Sequence, residues 1–499
     1  MEEALPPLPK PVEALDRQPA ESRAVRELSI ALVGEVRGEI QPCGCPTVPY
    51  GGFARREVFL DQFRAEKAPL FQLDAGEALL KGVSESGRDR LDARVEAVFS
   101  LMREVGVDVM VPGPTDLLAR PPEGLQALSD NGGPKLVSST WLDESGGTWF
   151  PPSAVLERGG VRLGVVGLSA QPLAPEVAGL VGYRSPVEAA REAVSSLPNG
   201  LDLVVAVSNL PEVEALAVAD EVTGLAAILS TRGSEHEPPR ARGETVIIET
   251  PSRGRYVTAL RMRLGAASGE ALSTGGPAVD KFGVLLDLRS GARGEPENLE
   301  ARRKILEATE EVESGLVSAG AGRNLVVVED RPLGSNLDGS AASERVINEF
   351  QKTVVEIAVA VAEREESGPS YAATSACISC HMHQFGTWAF SEHKKAWQSL
   401  VERGQGYDPE CLGCHSTGFG EPGGFGELSK FNLNRLGAVQ CEACHGPLKG
   451  HPEDESVAVA PITEATCVRC HDEANSPDFD YDSYLKKAAC TTDPHGAAR

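Results

Sequence analysis

The chain has 499 residues, 41% of them hydrophobic and only 5% aromatic, and a formal net charge of -25 at pH 7. That length holds two or three domains, and the acidic balance excludes nucleic acid and anionic membrane surfaces as partners, since both would repel it. No apolar run is long enough to span a bilayer as a helix.

Residues 1–25, rich in Pro and charge and without an apolar centre, read as a linker. From about Leu28, short apolar runs ending in small or polar residues alternate with helical patterns, as the buried strands of an α/β sheet do: LSIALVGEV, PLFQLDAG, DVMVPG, VRLGVVGLS, LDLVVAVSN and LAAILS. Helical spacing runs from Asp89 to Glu104 and from Val187 to Ser196. TVIIET, RYVTALRMRL and FGVLLDLR then read as antiparallel strands closing an α/β sandwich over residues 26–290.

In order and spacing, VGEVRGEIQPC, GGFARR, QLDAGEALL, VMVPGPTDLL, VVAVSNLP and AAILSTRG resemble the N-terminal domain of the 5'-nucleotidase type of calcineurin-like metallophosphoesterases. The resemblance implies two metal ions at the strand ends, held by Asp-x-His, Gly-Asp, Asn-His-Glu, a lone His and His-x-His. This chain departs from each: Glu35 and Arg37, Gly76 and Glu77, Pro114-Thr115-Asp116, Asn209, and Arg232 with Ser234 occupy those positions, and no His precedes His236. A dinuclear site that makes hydroxide at neutral pH needs imidazoles or several well-placed carboxylates, and an Arg aimed into it repels cations. The expectation is therefore a catalytically inactive phosphoesterase-like scaffold or docking domain, with a working metal-dependent nucleotidase as the disfavoured alternative. Two lesser readings stay open: Glu35, Glu77 and Asp116 as an all-oxygen site for Mg²⁺ or Ca²⁺, and Arg37 with Arg232 as an anchor for phosphate or carboxylate. Cys43-Gly44-Cys45 is either a loop pinned by one disulfide, Cys490 being the other Cys outside the repeated motifs described below, or a soft-metal or redox pair.

Residues 295–319 and 341–366 carry helical spacing, the second helix capped by Ser343, and read as a hairpin that connects two domains over 291–370. ESGPSYA then leads into a domain at 371–499.

Within that domain the word Cys-x-x-Cys-His occurs four times: Cys377, Cys380 and His381; Cys411, Cys414 and His415; Cys441, Cys444 and His445; Cys467, Cys470 and His471. Two thiols three residues apart on one turn can form thioethers with the two vinyl groups of haem, while the adjoining imidazole ligates the iron. Paired zinc ribbons would use the same thiols but have no need of a His after every second Cys. The expected cofactors are four covalently bound c-type haems in a small, mainly α and loop, multihaem cytochrome c domain. Some 125 residues would then surround four porphyrins crowded edge to edge, so electrons could pass between them. Covalent haem attachment occurs outside the bacterial cytoplasm, which places the protein in the periplasm or on the cell surface and calls for an export signal that the first residues do not resemble.

Outside the words five His remain: His236, His383, His393, His451 and His495. An isolated His236 reads as a surface residue, and the other four equal the haems in number. CISCHMHQFGTWAFSEHKKAW, DPECLGCHSTGFGEPGGF, GAVQCEACHGPLKGH and CVRCHDEANSPDFDYDSYLKK resemble the tetrahaem cytochrome family whose type member accepts electrons from hydroxylamine oxidoreductase. The resemblance implies His393 and His451 as distal ligands. It also implies a ligand after SPDFDYDSYL, where this chain has Cys490 and only later His495. His383 lies too close to His381 to cap its own haem and serves a neighbour or none. The reading is an exported electron carrier. The alternative is a haem redox enzyme acting on a small nitrogen compound at a five-coordinate iron. Residues 371–499 hold 10 Lys plus Arg against 17 Asp plus Glu, so a basic redox protein is the electrostatically matched partner.

Overall fold

A computed structural model describes residues 26–42, 50–66, 68–80, 88–231, 237–265, 271–291, 299–318, 324–364, 371–402, 409–421, 423–425, 435–454, 456–472, 475–476 and 478–488. The 1–25 linker, Cys43, Cys45, Arg232, Ser234, His236, Cys490 and His495 lie outside these residues.

The N-terminal region runs β1 (Arg26–Val33), α1 (Phe53–Arg64), β2 (Leu70–Asp74), α2 (Arg88–Val105), β3 (Val109–Met110), α3 (Pro114–Ala119), α4 (Pro122–Asp130) and β4 (Lys135–Leu136). It continues with β5 (Trp141–Leu142), β6 (Ser153–Arg158), β7 (Val161–Leu168), β8 (Gly182–Tyr183), α5 (Pro186–Ser196), β9 (Leu203–Ser208), α6 (Glu212–Glu221) and β10 (Ala227–Thr231). It then adds β11 (Arg240–Arg242), β12 (Thr245–Thr250), β13 (Tyr256–Leu264), β14 (Leu272–Ser273), α7 (Pro277–Gly291), α8 (Leu299–Ser318), β15 (Asn324–Pro332) and α9 (Ala341–Arg364).

The strands form a seven-stranded sheet in the order β14-β15-β13-β1-β2-β3-β4 and a six-stranded sheet in the order β11-β12-β10-β9-β7-β6. Leu28, Ile30 and Leu32 of β1 and Phe71 and Leu73 of β2 meet Leu163, Val165, Val205, Val207 and Leu229 in one apolar layer between the sheets. Alternate residues such as Ala31 and Val33 face outward to α1, α2 and α9, while α5 and α6 cover the outer face of the second sheet. Strands buried on both faces read as continuous apolar runs, which is why β1, β7 and β9 were visible in the sequence. The α/β sandwich is as expected.

Several expectations are corrected. FGVLLDLR is not a strand but part of α7, where Phe282 and Leu285 sit one turn apart against Val312 of α8 and Leu325 of β15. TVIIET and RYVTALRMRL are strands, but they lie in different sheets: β12 pairs antiparallel with β11 and parallel with β10 in the second, and β13 pairs antiparallel with β1 and β15 in the first. The helices expected to form a connecting hairpin do not pair with each other. α8 packs on α7, α9 packs on α1 and α2, and between them β15 enters the first sheet beside β13. The β-branched run in NLVVVED supplies that strand, so the sheet extends well past residue 290. Ser343 lies inside α9 rather than at its cap, and its hydroxyl donates to Glu57 at 2.6 Å.

Among its described residues the C-terminal region has the short helices α10 (Thr374–Cys377), α11 (Met382–Ala389), α12 (Ala396–Val401), α13 (Pro409–His415), α14 (Cys441–His445), α15 (Glu464–Val468) and α16 (Tyr481–Ala488). Its apolar core is small and centres on Tyr371, Ala373, Leu400, Leu412, Phe425 and Leu436. The region lies against the α/β body where α13 meets α9 and where the Arg90 guanidinium sits 5.3 Å from the Phe419 ring centroid. No helix among the described residues is long and apolar enough to cross a membrane.

Phe350 of α9 is 5% exposed and lies under the Arg94 guanidinium, 5.6 Å from its ring centroid. Phe350→Ala should cost about 3–5 kcal/mol and lower the thermal midpoint of the α/β body. An unchanged melt would mean that α9 is not part of that body's core.

Candidate functional site

The strand ends that the family resemblance assigns to metal form one cluster. Glu35, Arg37 and Glu77 have φ of 47°, 54° and 55°, the left-handed region that non-glycine residues seldom adopt. Such strain persists only where the surroundings over-determine it. Here the hydrogen bonds Glu35 N to Gly76 O, Arg37 N to Glu77 O and Arg253 N to Glu35 O hold it in place. Gly76 could not be replaced, because its φ is 81° and a Cβ would lie 2.0 Å from Val111 O.

The side chains in this cluster are already committed to protein groups. Asp116 is fully buried and accepts from the backbone N–H groups of Gly113, Glu77, Ala78 and Leu79 at 2.8–3.0 Å. Glu77 accepts from Thr115 N at 3.0 Å and from Thr115 Oγ1. The Asn209 amide donates to Ala75 O and Val111 O and accepts from Ala170 N, at 2.9, 3.0 and 2.8 Å. Arg37 pairs with Glu35 at 2.7 Å, so its charge is neutralised rather than offered to an anion. A cavity of about 250 Å³ beside the cluster is lined by Glu35, Asn209, Thr231, Arg240 and Glu249, and Arg240 there is paired with Glu212 and Glu249 at 2.6 and 3.1 Å. Among the described residues no group of three metal-ligating side chains exists. The cluster does not fit a two-metal centre, and the all-oxygen set of Glu35, Glu77 and Asp116 does not converge.

The C-terminal words do fit haem. None of the eight Cys of the words forms a disulfide among the described residues, and all are at least partly exposed. His381 and His451 have ring centroids 6.5 Å apart, and His393 and His471 have theirs 6.2 Å apart. A metal bound between two imidazoles by bonds of ~2.0 Å separates the ring centroids by about 6.3 Å, so each pair is spaced for one iron. His451 Nδ1 lies 3.3 Å from Val457 O, His415 Nδ1 2.6 Å from Ala396 O and His471 Nδ1 2.9 Å from Ser476 Oγ. A hydrogen bond at Nδ1 fixes the ring and leaves Nε2 for metal. Burial lowers the pKa of His393, with His471 adding to the effect, and burial likewise lowers those of His445 and His471.

The structure thus brings His393 and His451 to the fourth and first words. His383 is exposed on α11, and His495 lies outside the described residues, so the distal sides of His415 and His445 rest on sequence expectation. The words themselves pair across the domain. The thiols of Cys377 and Cys441 are in contact, as are those of Cys414 and Cys470, and Arg469 donates to Ala443 O at 2.8 Å. Sequence reasoning missed what surrounds His471: Ser476 on its Nδ1, and the Phe479 and Tyr484 rings with centroids at 5.5 and 5.2 Å. It also missed Glu442, an acidic residue inside the third word that is only 2% exposed.

Burial, with Asp116 and Glu35 nearby, pushes Glu77 up from 4.5 to about 7. The folded state then holds this proton more tightly than the unfolded chain. Its contribution is complete below the ordinary carboxylate range and is lost as pH rises through about 7. Glu77→Gln should flatten the fall in thermal midpoint between roughly pH 5 and 8; an unchanged slope would place the linkage elsewhere.

Residues 376–446 match the family described as cytochrome c554 and c-prime. An 86-residue stretch is 36% identical to cytochrome c-554 of Nitrosomonas europaea, covering 14% of this chain and 36% of that protein. A further 178 residues are 28% identical to a 5'-nucleotidase of Vibrio cholerae, covering 32% of this chain and 30% of that protein. The chain spans about a third of the length of these curated relatives. Among solved structures, the 5'-nucleotidase precursor from Thermus thermophilus aligns with a TM-score of 0.48 at 17% identity, covering 66% of this chain and 59% of that one. The chain joins an N-terminal region similar to 5'-nucleotidases to a C-terminal cytochrome c554 region, a kind of domain that binds c-type haem covalently.

Proposed function

We propose that the protein is an exported tetrahaem c-type cytochrome that relays electrons, and that its phosphoesterase-like body is a non-hydrolytic scaffold or docking surface. The observation that carries this reading is the pair of opposed imidazoles, His381 with His451 and His393 with His471, in a domain with four Cys-x-x-Cys-His words. Two imidazoles on one iron would leave it no open position for a substrate, and bound haem would supply the one-electron couple. The chain's residues do the rest. Cys377, Cys380, Cys411, Cys414, Cys441, Cys444, Cys467 and Cys470 would anchor the porphyrins and His381, His415, His445 and His471 would ligate the irons, with Nδ1 contacts orienting the His415 and His471 rings. Contacts between the first and third words and between the second and fourth favour a connected relay. The acidic surface favours a basic redox partner.

Scaffolding rather than hydrolysis is supported by the strand-end cluster, whose carboxylates and amide are consumed by backbone groups and Thr115. A second reading, a haem redox enzyme acting on a small nitrogen compound, is favoured only by His415 and His445. Among the described residues, opposed imidazoles are found for the other two words. Attachment outside the cytoplasm is what the thioether chemistry requires of a bacterial protein, hence the periplasmic or cell-surface placement.

Intact mass of protein matured in a bacterial periplasm should correspond to four added haems, and Cys467→Ala with Cys470→Ala should remove one. Fewer than four in the unsubstituted chain contradicts the relay. Phosphate release from nucleotides with added Mn²⁺ or Zn²⁺ should be absent; turnover would restore the nucleotidase reading.

A further inference from the structure

Glu442 occupies the first variable position of the third word, yet its carboxylate serves neither thiol of that word. Its Oε1 accepts from Ala372 N at 2.7 Å and Leu448 N at 2.8 Å, and its Oε2 accepts from Ala373 N at 2.7 Å. One buried carboxylate therefore ties together three segments, its own word, the turn 6 residues on and the lead-in to the first word 70 residues away, in a region whose apolar core is small. A buried carboxylate with three backbone donors is well satisfied, and removing an acceptor leaves N–H groups orphaned.

Two of the segments lead to the same iron. Ala373 has φ 69°, a strained value for a residue with a Cβ, and it opens α10, which ends at Cys377 of the first word. Leu448 O in turn accepts from His451 N at 2.9 Å, so the Glu442–Leu448 bond sets the turn that carries His451. Glu442 thus holds the approach to His381 from one side and to His451 from the other. Gln440 reinforces the first arm, its Oε1 accepting from Thr374 N at 2.9 Å.

We propose that Glu442 is a positioning residue for the first haem. From within the attachment word of the third haem, it sets the separation of His381 and His451 and so couples the ligation of one haem to the folding around its neighbour. This rests on the haem reading above.

The test uses full-length protein matured in a periplasm. Glu442→Gln keeps the shape but turns one acceptor into an N–H donor, which opposes the N–H of Ala373 or those of Ala372 and Leu448. The expected result is unchanged haem content by mass, with loss or shift of one low-spin ferric signal in electron paramagnetic resonance, the same signal altered by His451→Ala. Adding Ala373→Gly, which adopts φ 69° without strain, should recover that signal at least in part. This double variant is also the form to examine if the single one does not mature. Glu421→Gln, which alters a partner of the Tyr371 hydroxyl on the same lead-in segment, should leave the signal in place. An unaltered spectrum in Glu442→Gln overturns the proposal, as does a double variant no closer to the unsubstituted protein than the single one. Should the unsubstituted protein lack any signal sensitive to His451→Ala, it is the haem-ligation reading that fails.

Discussion

A Cys-x-x-Cys-His word delivers three of the bonds that a c-type haem needs. A second imidazole, where an iron takes one, would come from elsewhere in the chain, and its placement is the constraint on which the proposed C-terminal relay depends. In the proposed reading the partner lies far away in sequence: the His451 ring centroid is 6.5 Å from that of His381, and the His393 centroid 6.2 Å from that of His471. A region whose apolar core is centred on a handful of residues has little packing with which to fix such distances. It uses buried hydrogen bonds instead: Glu442 and Gln440 on backbone N–H groups, Thr417 Oγ1 donating to Ala438 O, and Trp388 Nε1 donating to Val439 O. Buried polar networks of this kind favour one arrangement because an unmet donor is costly.

The N-terminal body shows the converse economy. Its two sheets and flanking helices supply a large apolar core, and its strand ends retain the strained backbone at Glu35, Arg37 and Glu77. In place of convergent ligands, the side chains there close on one another and on the backbone: Asp116 on four N–H groups, Glu77 on Thr115, Arg37 on Glu35. A geometry suited to holding ions becomes a self-satisfied rim. The body meets the C-terminal region through α9 and Arg90, next to the helix that carries the second word. The α/β body therefore lies beside the second word rather than at the end of a free tether.

How much of this was legible depended on the range of the signal. Strands buried on both faces, such as β1 and β9, announce themselves locally, as do the four words. FGVLLDLR misled because a short apolar run fits a strand or a buried helix equally well, and only the spacing of Phe282 and Leu285 against Val312 and Leu325 separates them. β15 was missed for the opposite reason. Its β-branched run sits between two helices, where a hairpin needs no strand, and its pairing with β13 is a long-range fact. Among the candidate site residues, the His of each word was readable locally, and His393 and His451 were singled out only through family resemblance. Which word each lies near required the fold. Glu442 and Ser476 carry no sequence mark, because an acceptor for distant N–H groups or for an imidazole can be any short polar side chain.

The central claim is that opposed imidazoles close the irons of the first and fourth words for electron transfer. Electron paramagnetic resonance of the fully oxidised, periplasm-matured protein tests it most directly. At least two low-spin ferric signals of the bis-imidazole type are predicted, whatever the state of the second and third haems. A spectrum that is high-spin at all but one iron would contradict the account.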